Sequence, residues 1–461
     1  MYEMLSGLLS VVIAITSVGS IASANNKSNH IEANTKQEEK IIENEYESFG
    51  KTFVGLLADR NYIKAVEIFD SNMKKMIPED KLKEAWEGLT SQVGGLKKQL
   101  STKLEIQKQL TKVVVTCEFE KAMVDISVVF TSDKQITGLR FTPTNIPPKQ
   151  EQAKVNNDLY YEEEVTIGKG EWKLPGTLSI PKKGSSFPVV VLVHGSGPQD
   201  RDSTIGPNKP FADLAKGLAS KGIAVLRYEK RTMEHASKFT SIANNITVKE
   251  ETIDDALAAV AMLRNRKEIN KNRIFVVGHS LGGMLVPRIG KEDKNIKGFV
   301  VMAGPTRPFE DLILEQMTYL SSLDGKVTQE EKEYLENVKV QVAMVKKNLS
   351  KDTPSSKLPL GVPANYWIDL KGYNPSVVAK TLDKPMLVLQ GERDYQVTMK
   401  DFTLWKKALS STKKATFKSY KDLNHLFLKG EGKPNPEEYM TAGHIDSAVI
   451  NDIANWINVQ K

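Results

Sequence analysis

One Gly-x-Ser-x-Gly pattern, which runs from Gly278 to Gly282, places Ser280 between two glycines. The apolar run at 274–277 before it is typical of a buried strand, and the stretch at 283–286 after it is typical of a helix. A sharp strand-to-helix turn lifts a seryl hydroxyl above the edge of a sheet, and flanking glycines keep Cβ atoms out of that turn. The pattern therefore predicts that Ser280 is the nucleophile of an acyl-transfer reaction.

A seryl hydroxyl is inert at neutral pH without a base, so partners are expected later in the chain. Asp394 follows the strand-like run 386–390, and His425 follows the strand-like run 415–420. Sites in doubly wound sheets form at the carboxyl ends of the strands. We therefore predict that His425 accepts the seryl proton, while Asp394 holds the imidazole ring and stabilises its charged form.

Other residues remain open for these two supporting roles. They are Glu392 and Asp422 as the acid, and His444 and His235 as the base. Asp422 is less favoured because it lies too close to His425 in sequence. His279 lies inside the turn itself, and strand alternation predicts that its side chain points away from Ser280.

A glycine-rich turn after the apolar run 189–193 supplies the third part of such a site. There the backbone can approach a tetrahedral intermediate closely. We predict that the N–H groups of Ser196 and Leu281 form an oxyanion hole. The Ser196 side chain is not favoured as a nucleophile, because no strand-to-helix turn surrounds it.

The elements that must position these residues alternate between strands and helices from about residue 160 onwards. The strand candidates read EEEVTI, WKLPGTLSI, PVVVLVHG, GIAVLRY, RIFVVGHS, IKGFVVMAG, PMLVLQG and ATFKSY. Several are continuous apolar runs, which is typical of parallel strands that are buried on both faces. The pattern predicts an α/β fold with a doubly wound, mostly parallel sheet over residues 155–461.

The connection at about 305–383 is too long for one crossover helix. Apolar residues recur there at helical spacing, which predicts an inserted helical cap. The aromatic pair Tyr366 and Trp367 is expected to form an apolar roof for an acyl chain. An insertion that packs away from the cleft is the alternative.

Residues 45–148 show helical spacing first and then four β-like runs, which predicts a small α+β domain. In topology this domain resembles the cone-shaped domains of the nuclear-transport-factor-2-like (NTF2-like) type that precede some bacterial hydrolases. Pro147 and Pro148 begin a polar linker. The polar residues 25–44 are expected to form a flexible tether.

Residues 1–24 have the pattern of a secretory signal peptide, with an apolar core and an Ala-Ser-Ala end. The leader MYEM lacks the usual positive charge, so an uncleaved membrane anchor is the alternative. We expect an exported protein, either secreted or associated with the cell envelope.

The composition is that of a soluble globular protein, with 40% hydrophobic and 26% charged residues. The net charge of +7 comes mainly from scattered lysines. Without an arginine–aromatic stripe, nucleic acid is not expected as a partner, whereas weak attraction to an anionic cell envelope is compatible with the charge. The histidines show no metal-ligand spacing, so we expect neither metal nor cofactor. Cys117 is expected to be a small buried hydrophobe.

Six stretches together resemble the α/β-hydrolase superfamily, in particular bacterial serine esterases related to dienelactone hydrolases and acyl-peptide hydrolases. They are LPGTLSIP, VVLVHGSGPQDRD, AVLRYEKR, VVGHSLGG, VLQGERDYQV and LNHLF. The resemblance implies hydrolysis of carboxylic esters through an acyl-enzyme, with Ser280, Asp394 and His425 as the triad. The expected partner is a small-molecule ester with a small or medium acyl group. A peptidase or amidase of the same fold is an alternative, and a non-catalytic binding protein is a weaker one.

One segment departs from that family. Thr232 and Met233 stand where such enzymes usually carry a glycine, which predicts a reshaped loop and leaves the substrate size open. The nearby run from Asp200 to Asp202 either lines the same mouth or forms a solvated ion pair of a turn. The sequence does not indicate the oligomeric state.

Overall fold

The computed structural model describes residues 32–107, 110–120, 122–144, 158–235, 238, 245–347, 349–412 and 414–460. The chain divides into two compact units, Met1–Ala153 and Lys154–Lys461. The predicted signal peptide at 1–24 lies outside the described residues. In the described part, no helix is both long and apolar enough to cross a membrane.

Helices come first in the N-terminal unit, and an antiparallel sheet follows them. The helices are α1 (Glu32–Ala58), α2 (Tyr62–Glu67), α3 (Ser71–Met76) and α4 (Glu79–Val93). The strands are β1 (Leu96–Gln107), β2 (Leu110–Phe119), β3 (Met123–Thr131) and β4 (Ile136–Thr144), paired in that order. Alternate residues of β2 are buried, because one face of the sheet packs against the helices. Cys117 lies on that face, where burial raises the pKa of its thiol to about 12, as expected of a small buried hydrophobe.

Helix α1 begins at Glu32, inside the segment predicted to be a flexible tether. For residues 32–44 that prediction is wrong. The segment is rich in Glu, Lys and Gln, which are good helix formers although they are polar. Low hydrophobicity alone therefore did not distinguish a polar helix from an irregular chain.

The second unit contains an eight-stranded sheet with helices between its strands. Its strands are β5 (Tyr160–Ile167), β6 (Leu174–Pro181), β7 (Phe187–Val193), β8 (Ala224–Tyr228), β9 (Ile269–His279), β10 (Gly298–Met302), β11 (Met386–Gly391) and β12 (Ala415–Tyr420). Its helices outside the long connection are α5 (Pro210–Ala219), α6 (Arg231–Glu234), α7 (Asp254–Leu263), α8 (Leu281–Glu292), α13 (Met399–Leu409) and α14 (Ser447–Val459).

The strand order in this sheet is β12-β11-β10-β9-β7-β8-β6-β5. Strands β7 to β12 pair in parallel, whereas β5 and β6 are antiparallel. The predicted α/β fold with a doubly wound, mostly parallel sheet and a separate small α+β domain is confirmed. Because parallel strands end at the same edge, the loops after β7, β9, β11 and β12 are brought together there.

In its described residues, the long connection between β10 and β11 contains four α-helices: α9 (Phe309–Leu320), α10 (Gln329–Lys347), α11 (Ala364–Leu370) and α12 (Pro375–Lys380). We call residues 305–383 the cap. Asp369 in the cap accepts two hydrogen bonds from Arg288 of α8, at 2.8 and 2.9 Å. Tyr373 donates its hydroxyl to the carbonyl oxygen of Met284 at 2.7 Å. The cap therefore packs on the helix that follows the predicted nucleophile.

Trp367 is fully buried, and its ring stacks on that of Phe309 with centroids 6.0 Å apart. Its indole N–H donates to the carbonyl oxygen of Val362. The prediction that Trp367 forms an open apolar roof is wrong, because the ring belongs to the interior of the cap. A large apolar ring gains more from burial among neighbouring side chains than from lining an open cleft.

Candidate active site

Ser280 lies at the tight turn between β9 and α8, with φ 55° and ψ −121°. A non-glycine residue rarely adopts this backbone conformation, and such strain is typical of functional turns. The backbone is held there, because the Ser280 N–H donates to the carbonyl oxygen of Met302 at 2.9 Å. A Cβ on Gly282 would lie 2.4 Å from the carbonyl oxygen of Val193, so only glycine fits this close approach. The turn thus has the strained geometry that the sequence pattern predicts.

Asp394 and His425 form a buried pair at the ends of β11 and β12. Asp394 Oδ2 lies 2.7 Å from His425 Nδ1. The two residues are 4% and 3% exposed, so water competes little for this contact. A carboxylate can only accept here, so Nδ1 carries the proton and Nε2 of a neutral His425 is free to accept one.

Further donors orient the Asp394 carboxylate. Its Oδ1 accepts from the N–H groups of Gln396 at 2.8 Å and Val397 at 2.9 Å. Its Oδ2 also accepts from the Gln390 side chain at 3.0 Å. Gln390 did not emerge from the sequence analysis. The signal for it was a polar residue near the end of the otherwise apolar strand β11.

His279 connects the nucleophile turn with the His425 loop. Its Nε2 lies 2.8 Å from the carbonyl oxygen of His425, and the two ring centroids are 4.6 Å apart. The sequence pattern predicted only that His279 points away from Ser280, and it did not indicate this packing against His425. Burial lowers the pKa of His279 to about 3, so the ring is neutral and donates through Nε2. The contact brings the residue before Ser280 against His425.

Among the described residues, no hydrogen bond from the Ser280 hydroxyl is present. Such a bond to the base often tightens only when substrate binds. The structure therefore joins Asp394 to His425 directly, whereas the turn of Ser280 is connected to His425 through the side chain of His279.

The alternative acids and bases make contacts outside the Asp394–His425 pair. Glu392 is exposed and accepts from the Ser419 hydroxyl at 2.8 Å. His444 lies 2.9 Å from Asp213, and its side chain is 86% exposed. His235 contacts the carbonyl oxygen of Lys173 at 2.8 Å. The main chain of Asp422 accepts from Gly430. The contacts of these four residues favour Asp394 and His425 for the two roles.

The loop after β7 lies against Ser280, the predicted nucleophile. A Cβ on Gly195 would be 3.2 Å from the Cβ of Ser280. Ser196 follows at the surface, and Leu281 begins helix α8 directly after the nucleophile. Both predicted oxyanion donors are thus backbone N–H groups at this edge of the sheet.

A buried network below this loop did not emerge from the sequence analysis. Lys230 donates to the carbonyl oxygens of Gly195 at 2.6 Å and Gly197 at 3.0 Å. The same ammonium group lies 2.5 Å from Glu251 Oε1, and Glu251 Oε2 accepts from the Tyr366 hydroxyl at 2.7 Å. A lysine after an apolar strand gives no signal of burial, since most lysines are exposed.

In the charged run from Asp200 to Asp202, Asp200 accepts from Thr204 within the turn, whereas Arg201 and Asp202 form ion pairs with residues of other segments. Arg201 lies 2.6 Å from Glu229 and 2.7 Å from Glu164. Asp202 pairs with Arg227 of β8. These partners lie on other elements, which neither of the two sequence interpretations anticipated. Thr232, at the position where the sequence comparison expects a glycine, lies in the short helix α6. Its hydroxyl is 3.4 Å from the carbonyl oxygen of Gly197.

Comparisons with known proteins cover both units. Residues 185–360 match the family described as serine aminopeptidase, S33, and residues 50–139 match the family described as protein of unknown function (DUF3887). The chain is 38% identical to esterase EstD of Thermotoga maritima over 405 residues, which are 88% of this chain and 93% of that protein.

Two solved structures are similar to the chain over about two thirds of its length. Est1E from Butyrivibrio proteoclasticus has a TM-score of 0.42 and 16% identity, and the match covers 64% of this chain and 98% of that one. An esterase from Pyrococcus furiosus has a TM-score of 0.39 and 17% identity, with 65% and 92% covered. From its identity to EstD over nearly the whole of both chains, together with its sheet topology and the strained turn at Ser280, the chain belongs to the α/β-hydrolase superfamily and to the family of esterase EstD.

Proposed function

We propose that the protein is a serine carboxylesterase that cleaves small or medium acyl esters through an acyl-enzyme, with Ser280, His425 and Asp394 as its triad. The observation that carries the proposal is the buried 2.7 Å contact between His425 and Asp394, next to the strained turn of Ser280. The identity to an esterase over most of the chain supports the ester as substrate.

In the first half of the proposed reaction, His425 Nε2 takes the proton of the Ser280 hydroxyl while Oγ attacks the ester carbonyl carbon. The carbonyl oxygen becomes an oxyanion, which accepts from the N–H groups of Ser196 and Leu281. The tetrahedral intermediate then collapses, and the bond to the alkoxy oxygen breaks. His425 returns the proton to that oxygen, and the alcohol leaves.

In the second half, His425 takes a proton from water, and the hydroxyl oxygen attacks the acyl carbon of the Ser280 ester. Collapse of the second tetrahedral intermediate releases the carboxylic acid, and the proton returns to Ser280. Asp394 keeps the ring in the tautomer that leaves Nε2 available, and its negative charge stabilises the imidazolium in both halves. The buried position of the pair strengthens this interaction, because little water screens it.

A peptidase or amidase activity is the second candidate, because the model matched by residues 185–360 is described as a serine aminopeptidase. The same triad can cleave an amide. The two candidates separate when matched nitrophenyl acetate and nitroanilide substrates are compared. The proposal expects turnover of the ester to exceed that of the amide by far more than the difference in their intrinsic reactivities.

We also propose that the protein is exported, on the basis of the apolar core and the Ala-Ser-Ala pattern within residues 1–24. Sequencing the N-terminus of the natural mature protein tests this. A first residue at Asn25 is expected, whereas an intact leader in a soluble cell fraction would contradict it.

The replacement Ser280→Ala tests the proposed mechanism. Ester turnover is expected to fall by several orders of magnitude while the thermal transition stays nearly unchanged, since only one hydroxyl is removed. Ser410→Ala, at the exposed end of α13, is the matched control and should behave like the parent. Turnover of Ser280→Ala within tenfold of the parent would reject the assignment.

A further inference from the structure

Lys230 lies under the loop that carries a predicted oxyanion donor, and it makes contacts that no step of the proposed reaction uses. Its side chain is 2% exposed, which is unusual for a lysine. Its ammonium group has three acceptors: the carbonyl oxygens of Gly195 and Gly197, and the carboxylate of Glu251. All three hydrogen bonds that an ammonium group can donate are therefore made.

The bond to Gly195 sets the direction of the Ser196 N–H. The carbonyl of Gly195 and the N–H of Ser196 belong to one peptide group, and the chain contains no cis peptide bond among its described residues. In a planar trans peptide these two bonds point in opposite directions. A carbonyl held 2.6 Å from Lys230 Nζ therefore keeps the N–H of Ser196 on the side away from Lys230.

The loop needs such an anchor because its own backbone is permissive. Glycines flank Ser196 on both sides, and Gly197 has φ 78°. Glycine populates many backbone conformations, so the peptide could rotate and withdraw the N–H from the site. Lys230 holds the carbonyl oxygens on both sides of Ser196, and its own N–H donates to the carbonyl oxygen of Gln199 at 3.0 Å.

Glu251 makes the burial of this lysine tolerable and extends the network to the cap. A buried charge is costly unless it is paired and fully hydrogen-bonded. Glu251 is 5% exposed and shares its two oxygens between Lys230 and the hydroxyl of Tyr366. Tyr366 belongs to α11, so the cap completes the shell of hydrogen bonds around the buried pair.

We propose that Lys230 is a positioning residue for the oxyanion hole, and that Glu251 and Tyr366 couple its hold on the Gly195–Ser196 peptide to the docking of the cap. This inference deepens the proposed function and rests on it. The peptide is pre-oriented before the substrate arrives, so the oxyanion meets a fixed donor. A docked cap favours this orientation, and a displaced cap weakens it through the loss of the Tyr366 contact.

The principal test combines Lys230→Met with Glu251→Gln, which removes both charges together and avoids an unpaired buried carboxylate. Because the lost orientation affects the transition state, kcat should fall by about 100-fold to 1,000-fold, the range for loss of one oxyanion donor, with KM within about threefold. Affinity for a trifluoromethyl ketone, which forms a tetrahedral adduct, should fall by a similar factor. The acid limb of the pH profile should keep its position, because His425 is untouched.

Arg231→Met combined with Asp255→Asn is the matched control, since Arg231 lies beside Lys230 and pairs with the buried Asp255 without contacting the loop carbonyls. Its kcat should remain within about threefold of the parent. A folded Lys230→Met/Glu251→Gln variant with parental kcat, or with its whole loss in KM, would overturn the proposal.

Tyr366→Phe keeps the proposal testable even if the double variant does not fold. It removes one hydroxyl, so kcat should fall by about threefold to tenfold, as expected for a single hydrogen bond. An unchanged kcat would overturn the coupling to the cap, and a folded Lys230→Met single variant with parental kcat and adduct affinity would overturn the positioning role. These outcomes differ from a failure of the proposed function, which would appear as a Ser280→Ala variant that retains ester turnover.

Discussion

The two sides of the candidate site differ in what they are made of. On the acid–base side, after β11 and β12, the side chains of Asp394 and His425 are held by nearby groups such as Gln390 and the N–H of Val397. On the oxyanion side, after β7, the proposed donor is a backbone N–H that any residue could supply. The orientation of this N–H depends on side chains that are distant in sequence, such as Lys230, which lies 35 residues after Gly195. Chemistry done by side chains is visible in residue types, whereas chemistry done by the backbone depends on what holds the backbone.

The largest expected effect comes from breaking the acid–base side with His425→Ala. Ester turnover should fall by several orders of magnitude, because Ser280 then has no base. The loss of activity that we expect of the parent at acid pH should be absent from this variant, since only a neutral imidazole accepts the seryl proton. Burial lowers the pKa of His194 and of His279 to about 3, so neither can cause such a change near neutral pH. Turnover is measured from pH 5 to 9, and an unchanged profile would move the role to His235 or His444.

The next effect concerns the stability of the fold. One buried neutral histidine, His194, lies on the oxyanion side, and another, His279, contacts the acid–base side. His194 on the oxyanion side contacts the carbonyl oxygen of Asp200, and His279 contacts that of His425. The unfolded chain binds protons to these rings below about pH 6.5, whereas the folded rings bind them only near pH 3. The free energy of unfolding should therefore fall as the pH falls through this window, by on the order of a few kcal/mol per ring.

Urea unfolding at pH 7.5 and pH 4.5 measures this loss. His194→Gln and His279→Gln should each reduce the difference between the two pH values, because glutamine does not titrate. His444→Gln is the control, since His444 is exposed. If all three variants lose as much stability as the parent, burial of neutral rings is not the cause.

The smallest effect is expected from loosening the cap with Trp367→Ala. The cavity left beside Phe309 should weaken cap packing, and substrates with longer acyl chains should be affected more than acetyl esters. We expect the ratio of octanoyl to acetyl turnover to change by about threefold to tenfold. This is a modest effect, because contacts in an apolar pocket discriminate between substrates by at most about 1–3 kcal/mol. Val377→Ala, on the exposed surface of α12, is the control. The same octanoyl-to-acetyl ratio in Trp367→Ala, in Val377→Ala and in the parent would show that the cap does not shape the substrate pocket.

The sheet and the acid–base side could be predicted from the sequence because their signals are local. Buried parallel strands read as apolar runs, and the chain order of Ser280, Asp394 and His425 follows from a turn pattern and from strand ends. Helix α1 was missed at residues 32–44 because polarity suggested a tether, although the segment is rich in good helix formers.

The other misses share a cause in tertiary contacts. The contact of His279 with the His425 loop was not predicted, because strand alternation does not report what another loop brings against a side chain. Lys230 reads as an ordinary surface lysine until Glu251 and two carbonyl oxygens surround it. Trp367 was expected to form part of a roof over an acyl chain, whereas its ring is fully buried and stacks on that of Phe309 in α9. Each outcome depends on packing between segments that are far apart in the chain.

The most direct measurement is mass spectrometry of the protein after titration with a fluorophosphonate, which reacts with an activated serine. The account predicts one label per chain, located on the peptide that contains Ser280, and none in the His425→Ala variant on the same time scale. Labelling of the parent at another residue, or no labelling of folded protein that hydrolyses esters, would contradict Ser280 as the nucleophile.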